Sequence, residues 1–443
     1  MTTNNIELDS LPEYKSEFKS KSEPKKPRKP KKPVPTIKLV IDPGTSLLKI
    51  LYVVNDEPVE WLTMLPEYIT LPSESAKYLE DRNGRGLPED NAWVRLSESD
   101  ECHLVGYVAK DYRATASIKK LKNESLIYKV LGVVGAIALK KKLPKSFKLE
   151  LGVLLPLNEY RLEVNWKNKF KEALSCFYFQ NKQLKVKLSF FVYKPEGYGY
   201  TLYTHGKNDA DYFHNGNTAI IMMGYRNTSC LFSHRGTPSQ EHSQTTDLGF
   251  YTLLDKVIRK VPGCKHDHLI QAISTETEES WKRPNKKSCL TYSEVSTVID
   301  FASLTRSSNP NEAELEKSKI QQAYDASLDE YWRLISNWLD EILPCHKEVD
   351  AILVAGGSSA LLKEQLEEYA LGKNSKLYFP EVKDELKKYL LWKNAPFKEM
   401  FMEQNLGLRF ADAWGFFVPF AKYDLNKILD RETGEIEVIK EDG

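Results

Sequence analysis

Two segments of the chain share one order of features: an apolar strand, a turn that contains glycine, and a second strand. The first covers about residues 37–54 and contains IDPGTSLLK, and the second covers about residues 217–233 and contains MMGYRNTS. A glycine turn between two strands can point successive backbone N–H groups at one phosphate. The repeated unit therefore predicts a chain of two similar halves, each built on a β-sheet.

Composition narrows the class of protein. A length of 443 residues allows two to four domains, and 41% hydrophobic content is enough for sizeable cores. The net charge of +1 argues against a uniformly basic nucleic-acid binder. The chain has no apolar run of membrane-spanning length, its N-terminus is too polar for a signal peptide, and its six cysteines lack paired spacing. We therefore expect a cytoplasmic protein with reduced thiols.

The first 36 residues differ from the rest of the chain. The stretch EPKKPRKPKKPVP alternates prolines with basic residues, which predicts an extended, solvated arm. Such an arm could contact DNA phosphates, an anionic membrane surface, or an acidic patch on a partner or neighbouring subunit. A solvated tail that only aids solubility is the alternative interpretation.

The first turn has the residue types of a phosphate site. The backbone at Gly44 offers N–H donors, while Thr45 and Ser46 add hydroxyl donors. Lys49 supplies a positive charge, and Asp42 could hold Mg²⁺ through its water shell. On this segment alone, an ordinary hairpin with an exposed acidic residue fits equally well.

The second turn, MMGYRNTS, predicts a second phosphate loop that faces the first. Gly224 and Tyr225 form the turn, and Arg226 and Asn227 offer further donors. A structural hairpin is the alternative for this segment taken alone.

A carboxylate stands shortly before the second unit, in KPEGYGY. Glu196 on this strand-to-helix turn could orient a water for attack on a γ-phosphate. The alternative is a Pro-Glu pair that opens a helix.

A third glycine turn follows a buried strand in AILVAGGSSALL, residues 351–362. The absent side chains of Gly356 and Gly357 would let a flat base or a phosphate approach the backbone, and Ser358 begins a helix. A tight strand-to-helix turn in any parallel sheet is the alternative.

Hydrophobic patterning predicts the connecting elements. We expect a helix over residues 123–139, a strand over 148–155, one helix over 159–175 and mostly helix over 250–344. The segment LGLRFADAWGFF, residues 406–417, predicts a helix whose small residues allow close packing on another helix. We interpret it as part of the hydrophobic core.

Taken in order, these motifs resemble those of the actin, chaperone and sugar-kinase superfamily, over about residues 37–425. The motif MMGYRNTS, followed by TTDLGF, is similar to the corresponding motifs of ParM/StbA-type bacterial actins, in the versions found in cyanobacteria. The resemblance implies an α/β, actin-like ATPase fold of two lobes, each a mixed β-sheet with flanking helices and an inserted subdomain. It also implies that ATP and Mg²⁺ bind between the lobes.

The resemblance carries over to individual residues. It implies a first phosphate loop of Asp42, Gly44, Thr45, Ser46 and Lys49, with Asp42 next to the Mg²⁺. It implies a second phosphate loop of Gly224, Tyr225, Arg226 and Asn227, and an adenosine turn of Gly356, Gly357 and Ser358. It implies Glu196 as the carboxylate that positions the water, and Asp247 and Gly249 near the sugar or base.

One position departs from the family pattern. The family has an aspartate on the strand that enters its second phosphate loop, and Met222 stands there in this chain. We therefore expect ATP binding with slow hydrolysis, coupled to assembly.

The predicted organisation has four segments. A basic arm covers residues 1–36, and lobe I covers 37–216 with an inserted subdomain at about 61–125. Lobe II covers 217–400 with an inserted helical subdomain at about 256–344. Residues 401–443 form a C-terminal hinge helix that returns to lobe I, followed by a frayed acidic tail. Helices at 196–206 and 408–417 match the two hinge connections.

The function implied by the resemblance is a nucleotide-dependent filament of the plasmid-segregation type. Subunits would join head to tail, since such contacts do not close into a ring, and an adaptor would link the filament to DNA. One alternative is a chromosomally encoded filament that controls cell shape with a membrane-associated adaptor. The others are a non-polymerising nucleotide switch and a small-molecule kinase of the same fold.

Overall fold

The computed structural model describes residues 33–55, 57–81, 85–97, 99–114, 123–162, 165–207, 215–266, 268–270, 272–273, 299, 301–344, 348–379, 409–421, 427–429 and 436–438. Almost all of the predicted basic arm lies outside these residues, as do parts of both predicted inserted subdomains. The residues from Pro35 onward form one unit.

The first sheet contains, in the described part of the chain, nine strands in the order β3-β2-β1-β7-β9-β8-β5-β6-β4. Their bounds are β1 Thr36–Pro43, β2 Leu48–Val54, β3 Glu60–Met64, β4 Tyr68–Pro72, β5 Ala92–Leu96, β6 Glu101–Val105, β7 Ser146–Leu155, β8 Phe177–Phe179 and β9 Lys182–Pro195. The central strands β1 and β7 are parallel, and the C-terminal half of each strand is buried. This is expected for a sheet that is covered on both faces.

The second sheet has the order β12-β11-β10-β13-β14. Its strands are β10 Thr218–Met223, β11 Thr228–His234, β12 Thr237–Thr246, β13 Ala351–Ala355 and β14 Lys376–Tyr378. All five residues of β13 are buried, which explains the continuous apolar run AILVA in the sequence.

Five strands of each sheet pair in the same way. In the first sheet, β1 pairs antiparallel with β2 and parallel with β7, while β2 pairs antiparallel with β3 and β7 parallel with β9. In the second sheet, β10 pairs antiparallel with β11 and parallel with β13, while β11 pairs antiparallel with β12 and β13 parallel with β14. The turns after β1 and after β10 therefore occupy equivalent places.

Helices cover the sheets and connect them. Their bounds are α1 Ala76–Glu80, α2 Tyr107–Asp111, α3 Asn123–Lys140, α4 Leu157–Tyr160, α5 Trp166–Ser175, α6 Tyr198–Lys207, α7 Phe250–Lys260, α8 Pro310–Ile342, α9 Lys363–Lys373 and α10 Ala411–Ala421. Short 3-10 turns lie at Ser73–Ser75, Phe301–Leu304 and Ser359–Leu362. The longest helix, α8, starts where Asn309 accepts a hydrogen bond from the Asn311 N–H and proline takes the first position.

Two predicted elements differ from the structure. The single helix expected over residues 159–175 is wrong, because α4 ends at Tyr160 and α5 starts at Trp166, where Asn165 caps it with a 3.3 Å bond from the Asn168 N–H. The frayed acidic tail is also wrong in part, because β15 Lys427–Leu429 and β16 Ile436–Val438 pair as an antiparallel hairpin.

Helices α6 and α10 lie in the apolar cluster that joins the two sheets. This cluster combines Val40 and Leu154 of the first sheet with Leu353 of the second, and with Tyr200 of α6 and Trp414 of α10. The strand ends that carry the predicted motifs are thus brought together by the packing of these two helices. Among the described helices, none is both long and apolar enough to cross a bilayer.

Candidate functional site

The first turn is organised by an ion pair at its base. Asp42 lies opposite Lys49 in the β1–β2 register, and the Lys49 ammonium contacts Asp42 Oδ2. That ammonium also lies 3.5 Å from the position that a Cβ on Gly44 would take, so its charge sits over the turn. Asp42 is 3% exposed, and its Oδ1 has no hydrogen-bond partner within the described part of the chain. The first turn thus holds a buried acceptor beside a cation, with Thr45 half-buried next to it.

The second turn closes on itself and leaves a buried amide. The Gly224 N–H donates to the Asn227 carbonyl oxygen at 2.9 Å. Asn227 is 7% exposed, and neither its side-chain oxygen nor its side-chain nitrogen has a hydrogen-bond partner in the described residues. Buried polar groups in proteins are nearly always hydrogen-bonded, so such an amide suggests a missing ligand or water.

The N-terminus of α7 holds the second turn from outside. Phe250 and Tyr251 donate backbone hydrogen bonds of 3.0 and 2.9 Å to the carbonyl oxygens of Gly224 and Tyr225. A Cβ on Gly249 would overlap the Arg226 carbonyl group, so glycine is needed there for the close approach. The structure therefore puts Gly249 against the second turn, while a role beside the sugar or base stays a prediction.

Arg226 links the second turn to α4, the helix that follows β7 of the first sheet. Its Nη1 lies 3.8 Å from Glu159 Oε1 on α4, and its Nε lies 3.9 Å from Asp247 Oδ1. The Glu159 side chain is 1% exposed and that of Arg226 10%, whereas that of Asp247 is 83% exposed. The buried contact between Arg226 and Glu159 joins α4, which directly follows β7, to the turn after β10.

The Gly-Gly turn after β13 lies against the end of β10. Gly356 has a φ of 97°, and a Cβ there would overlap the Met223 carbonyl oxygen. The Ser358 hydroxyl donates a 2.9 Å bond to that same oxygen. Gly356 thus lacks a side chain because of backbone packing, and this corrects the expectation that both glycines leave room for a ligand. Of the two glycines, Gly357 keeps open space above its backbone as far as the described residues are concerned, and the nearest of their atoms is Arg409 Cγ at 4.0 Å.

Arg409, just before α10, connects the Gly-Gly turn to the first turn. Its aliphatic stem lies beside Gly357, and its Nη2 donates a 2.7 Å hydrogen bond to Ser46 Oγ. The Arg409 side chain therefore bridges the first turn, in the first sheet, and the Gly-Gly turn, in the second sheet.

Glu196 and Asp412 meet where α6 begins. The Glu196 N–H donates to the Leu155 carbonyl oxygen at 2.7 Å, and Gly197 follows with a φ of 95°. Asp412 accepts hydrogen bonds from the N–H groups of Gly197 at 2.7 Å and Gly199 at 2.8 Å. Burial raises the pKa of Asp412 to about 7, the Gly197 and Gly199 N–H groups oppose that rise, and the charges of Asp42 and Glu196 add to it. Asp412 therefore lies within electrostatic range of both Asp42 and Glu196.

Known structures share this architecture. No protein-family model matches the chain, and no curated protein does. A 15-stranded ParM filament structure from Clostridium botulinum gives a TM-score of 0.51 at 16% sequence identity, over 88% of this chain and 99% of that one. A crystal structure of an archaeal actin homologue gives a TM-score of 0.52 at 15% identity, over 87% of this chain and 99% of that one. The chain has the actin-like fold. The predicted fold class is thereby confirmed.

Within this actin-like fold, the predicted motifs come together. The first turn reaches the Gly-Gly turn through Arg409, and the Gly-Gly turn reaches the second turn through Ser358. Asp42 and Glu196 each lie close enough to Asp412 for their charges to raise its pKa. The roles assigned to the individual residues stay predictions, because the fold does not show what they bind.

Met222 faces the apolar side of the same region. Its Cγ would lie 3.3 Å from a Cβ on Gly197, and the side chain packs against the cluster around α6 and α10. This chain therefore has an apolar side chain next to the Glu196 turn, at the position where the resemblance described above predicts an aspartate.

Sequence reasoning missed three residues of this region. The sequence patterns assign Glu159 to a helix, and they assign both Arg409 and Asp412 to the core segment LGLRFADAWGFF with no role in the site. Only Asp412 had a usable signal in the sequence, because it is the one charged residue in the run FADAWGFF. Long-range partners such as Arg226 for Glu159 have no signature in a single sequence.

Proposed function

We propose that this actin-like protein binds ATP with Mg²⁺ between its two glycine turns and the Gly-Gly turn. The observation that carries the proposal is a pair of buried groups, Asp42 Oδ1 and the Asn227 side-chain amide, that have no hydrogen-bond partner among the described residues. They belong to turns that occupy equivalent places in two sheets. Leaving a buried polar group unpaired costs about 1–3 kcal/mol. A ligand that pairs both groups removes that cost, and a triphosphate with its metal water shell has the required acceptors and donors.

The residues fit Mg²⁺ in the manner of nucleotide sites. The described residues contain no group of three or more His, Cys, Asp or Glu side chains arranged for a metal. Mg²⁺ usually keeps several waters and uses one or two carboxylates together with substrate phosphates. A single carboxylate oxygen, Asp42 Oδ1, that is buried with no hydrogen-bond partner among the described residues suits this mode, and the ion would neutralise phosphate charge there.

Three cations surround the proposed phosphate path. Lys49 lies over the first turn, Arg226 belongs to the second turn, and Arg409 spans from Ser46 to Gly357. Charge-assisted hydrogen bonds from such groups to phosphate oxygens are among the stronger polar contacts in proteins. The open backbone face at Gly357 supports an adenosine position next to Arg409.

We further propose that hydrolysis is slow. Glu196 would accept a hydrogen bond from the attacking water and orient it toward the terminal phosphate. Met222 beside it offers no carboxylate, so one polar group that could help to hold the water is replaced by an apolar side chain.

We also propose that the protein forms filaments. One structure with the same fold is a ParM filament, and a head-to-tail contact that does not close gives such a polymer. A role in DNA segregation with a DNA-binding adaptor is the leading form of this proposal, and the basic arm at residues 1–36 would contact DNA, a membrane or an acidic partner surface. A cell-shape filament, a monomeric switch and a small-molecule kinase are the competing forms.

Calorimetry on the full chain tests the nucleotide site. ATP, ADP and GTP are titrated with Mg²⁺ and again with EDTA, and we expect ATP binding that Mg²⁺ strengthens. No association with any nucleotide at millimolar concentration overturns the proposal.

Electron microscopy with ATP, with ADP and without nucleotide tests assembly. We expect polymers that depend on the nucleotide, and their absence at every salt and protein concentration favours the monomeric switch. Deletion of residues 1–35, followed by pelleting, DNA-shift and liposome assays, identifies the partner of the arm. A screen for phosphorylation of small metabolites tests the kinase alternative.

A further inference from the structure

The two helices between the sheets are tied together by one buried carboxylate. Asp412, on α10, accepts hydrogen bonds from three backbone N–H groups at the start of α6: Gly197 at 2.7 Å, Gly199 at 2.8 Å and Tyr200 at 3.3 Å. The first N–H groups of a helix have no partner inside the helix and need an acceptor. A carboxylate suits this place because the helix dipole is positive there.

Both carboxylate oxygens of Asp412 accept hydrogen bonds from the backbone at the start of α6. Oδ2 receives the Gly197 N–H, and Oδ1 receives the Gly199 and Tyr200 N–H groups. The Asp412 side chain is 1% exposed and its oxygens already accept three backbone hydrogen bonds, so a nucleotide or a metal-bound water has little access to it. Its action on the site must therefore pass through the backbone that it holds.

That backbone carries Glu196. On one side the Glu196 N–H donates to the Leu155 carbonyl oxygen at 2.7 Å, and on the other the next residue, Gly197, donates to Asp412. Gly197 adopts a left-handed φ of 95°, a conformation that its hydrogen bond to Asp412 helps to hold. The direction in which Glu196 leaves the backbone thus depends on two hydrogen bonds, one to β7 and one to α10.

We propose that Asp412 is a positioning residue for Glu196, which it holds in register with the first turn by clamping the start of α6 to α10. Asp412 then controls the rate of ATP hydrolysis and leaves the affinity for ATP unchanged. This inference rests on the proposed function, in which Glu196 orients the attacking water.

The test compares Asp412→Asn with Glu196→Gln and with their double variant. In Asp412→Asn one acceptor oxygen becomes an NH₂ group that faces a backbone N–H, so at least one of the clamping bonds is lost. We expect the single-turnover hydrolysis rate at saturating Mg-ATP to fall about tenfold or more, with the Kd for ATP unchanged within about twofold. In the Glu196→Gln background, Asp412→Asn should have no further effect, because residues that act as a unit are not additive.

A second readout needs no nucleotide. Amide hydrogen exchange of residues 196–203 should become about tenfold faster or more in Asp412→Asn, since the N–H groups of Gly197 and Gly199 lose their acceptor. The matched control is Asp340→Asn, the same chemical change at a half-exposed site on α8 that bonds Tyr369 and Lys373. This control should change neither the hydrolysis rate nor the exchange of residues 196–203.

The outcomes separate this inference from the proposed function. If the wild-type protein binds no nucleotide, the proposed function fails, while the exchange experiment still reports on the clamp. Unchanged exchange, equal losses in affinity and rate, or additive effects of the two substitutions overturn the role of Asp412. ATP binding without measurable wild-type hydrolysis also overturns it. If Asp412→Asn does not fold, Gly197→Ala strains the same turn from its other side and should give the same split between rate and affinity.

Discussion

Gly199 on α6 and Gly415 on α10 face each other backbone to backbone where the two helices cross. A Cβ on Gly415 would overlap the Gly199 carbonyl oxygen, and a Cβ on Gly199 would overlap the Asp412 carbonyl oxygen. Neither neighbour is a flexible side chain, so an added methyl group cannot be accommodated by a rotamer change. The crossing holds the helices close enough for Asp412 to reach the start of α6.

Gly415→Ala should destabilise the protein. The methyl group would force α6 and α10 apart, and overpacking of this kind costs about 1–3 kcal/mol or more. Urea unfolding measures the change. Gly372→Ala is the matched control, because no atom of the described residues lies within 4 Å of its Cβ position on α9. Replacing a helical glycine by alanine stabilises by up to about 1 kcal/mol. Equal stability of Gly415→Ala and the wild-type protein would contradict the packing described above.

The adjacent glycines of the third turn should respond differently to substitution. Gly356→Ala should lower the unfolding free energy by about 1 kcal/mol or more, because its left-handed φ and the Met223 carbonyl oxygen exclude a side chain. Gly357→Val should keep the unfolding free energy but weaken ATP binding more than about tenfold, since it fills the open face beside Arg409. Thermal melting and calorimetry separate the two effects. Unimpaired ATP binding by Gly357→Val would remove the adenosine turn from the proposed site.

Asp42→Asn should abolish the Mg²⁺ dependence of ATP affinity. An amide is a poorer partner than a carboxylate for the water shell of a hard cation, yet Lys49 still finds an oxygen acceptor. The measurement is the ratio of the Kd values for ATP with Mg²⁺ and with EDTA. Asp255→Asn, at a surface ion pair with Arg259, should leave that ratio unchanged. A full Mg²⁺ effect in Asp42→Asn would exclude Asp42 as the metal-side residue.

Glu159→Gln should speed the release of nucleotide. The Arg226–Glu159 contact links α4 to the second turn, so loss of its charge weakens the connection across the site. Interface changes of this kind act mainly on dissociation, and we expect the off-rate of a fluorescent ATP analogue to rise roughly tenfold. Small-angle X-ray scattering should show a larger radius of gyration for the nucleotide-free variant. Unchanged values in both measurements would mean that this contact does not hold the two sheets together.

Stability should depend on pH through Asp412. Burial and the charges of Asp42 and Glu196 raise its pKa to about 7 in the folded state, whereas a free Asp has a pKa of about 4. Between about pH 4 and 7 the folded protein holds a proton that the unfolded chain releases, so stability falls as pH rises through this window. The unfolding free energy of the wild-type protein minus that of Asp412→Asn should therefore decrease from pH 5 to pH 8. A constant difference would contradict the raised pKa.

The turns that carry the candidate residues could be predicted because local patterns suffice for them, while what these residues bind stays a prediction. Residues 42–49 and 222–229 carry a strand, a glycine turn and a second strand in the printed sequence, and the structure has hairpins at both. The apolar run AILVA predicts a buried strand for a similarly local reason, since both faces of the sheet are covered. The break between α4 and α5 could not be predicted from periodicity, because the apolar pattern continues through it.

The order of the motifs in the sequence was enough to predict the fold class and to locate most of the residues near the candidate site, because strands and turns depend on neighbours in sequence. Three-dimensional packing was needed to bring Asp412 to Gly197, Arg409 to Ser46 and Arg226 to Glu159. Each of these pairs is separated by more than 60 residues in the printed sequence. The reason is physical: a hydrogen bond or ion pair between distant residues depends on the geometry of the assembled backbone, and no local pattern encodes that geometry.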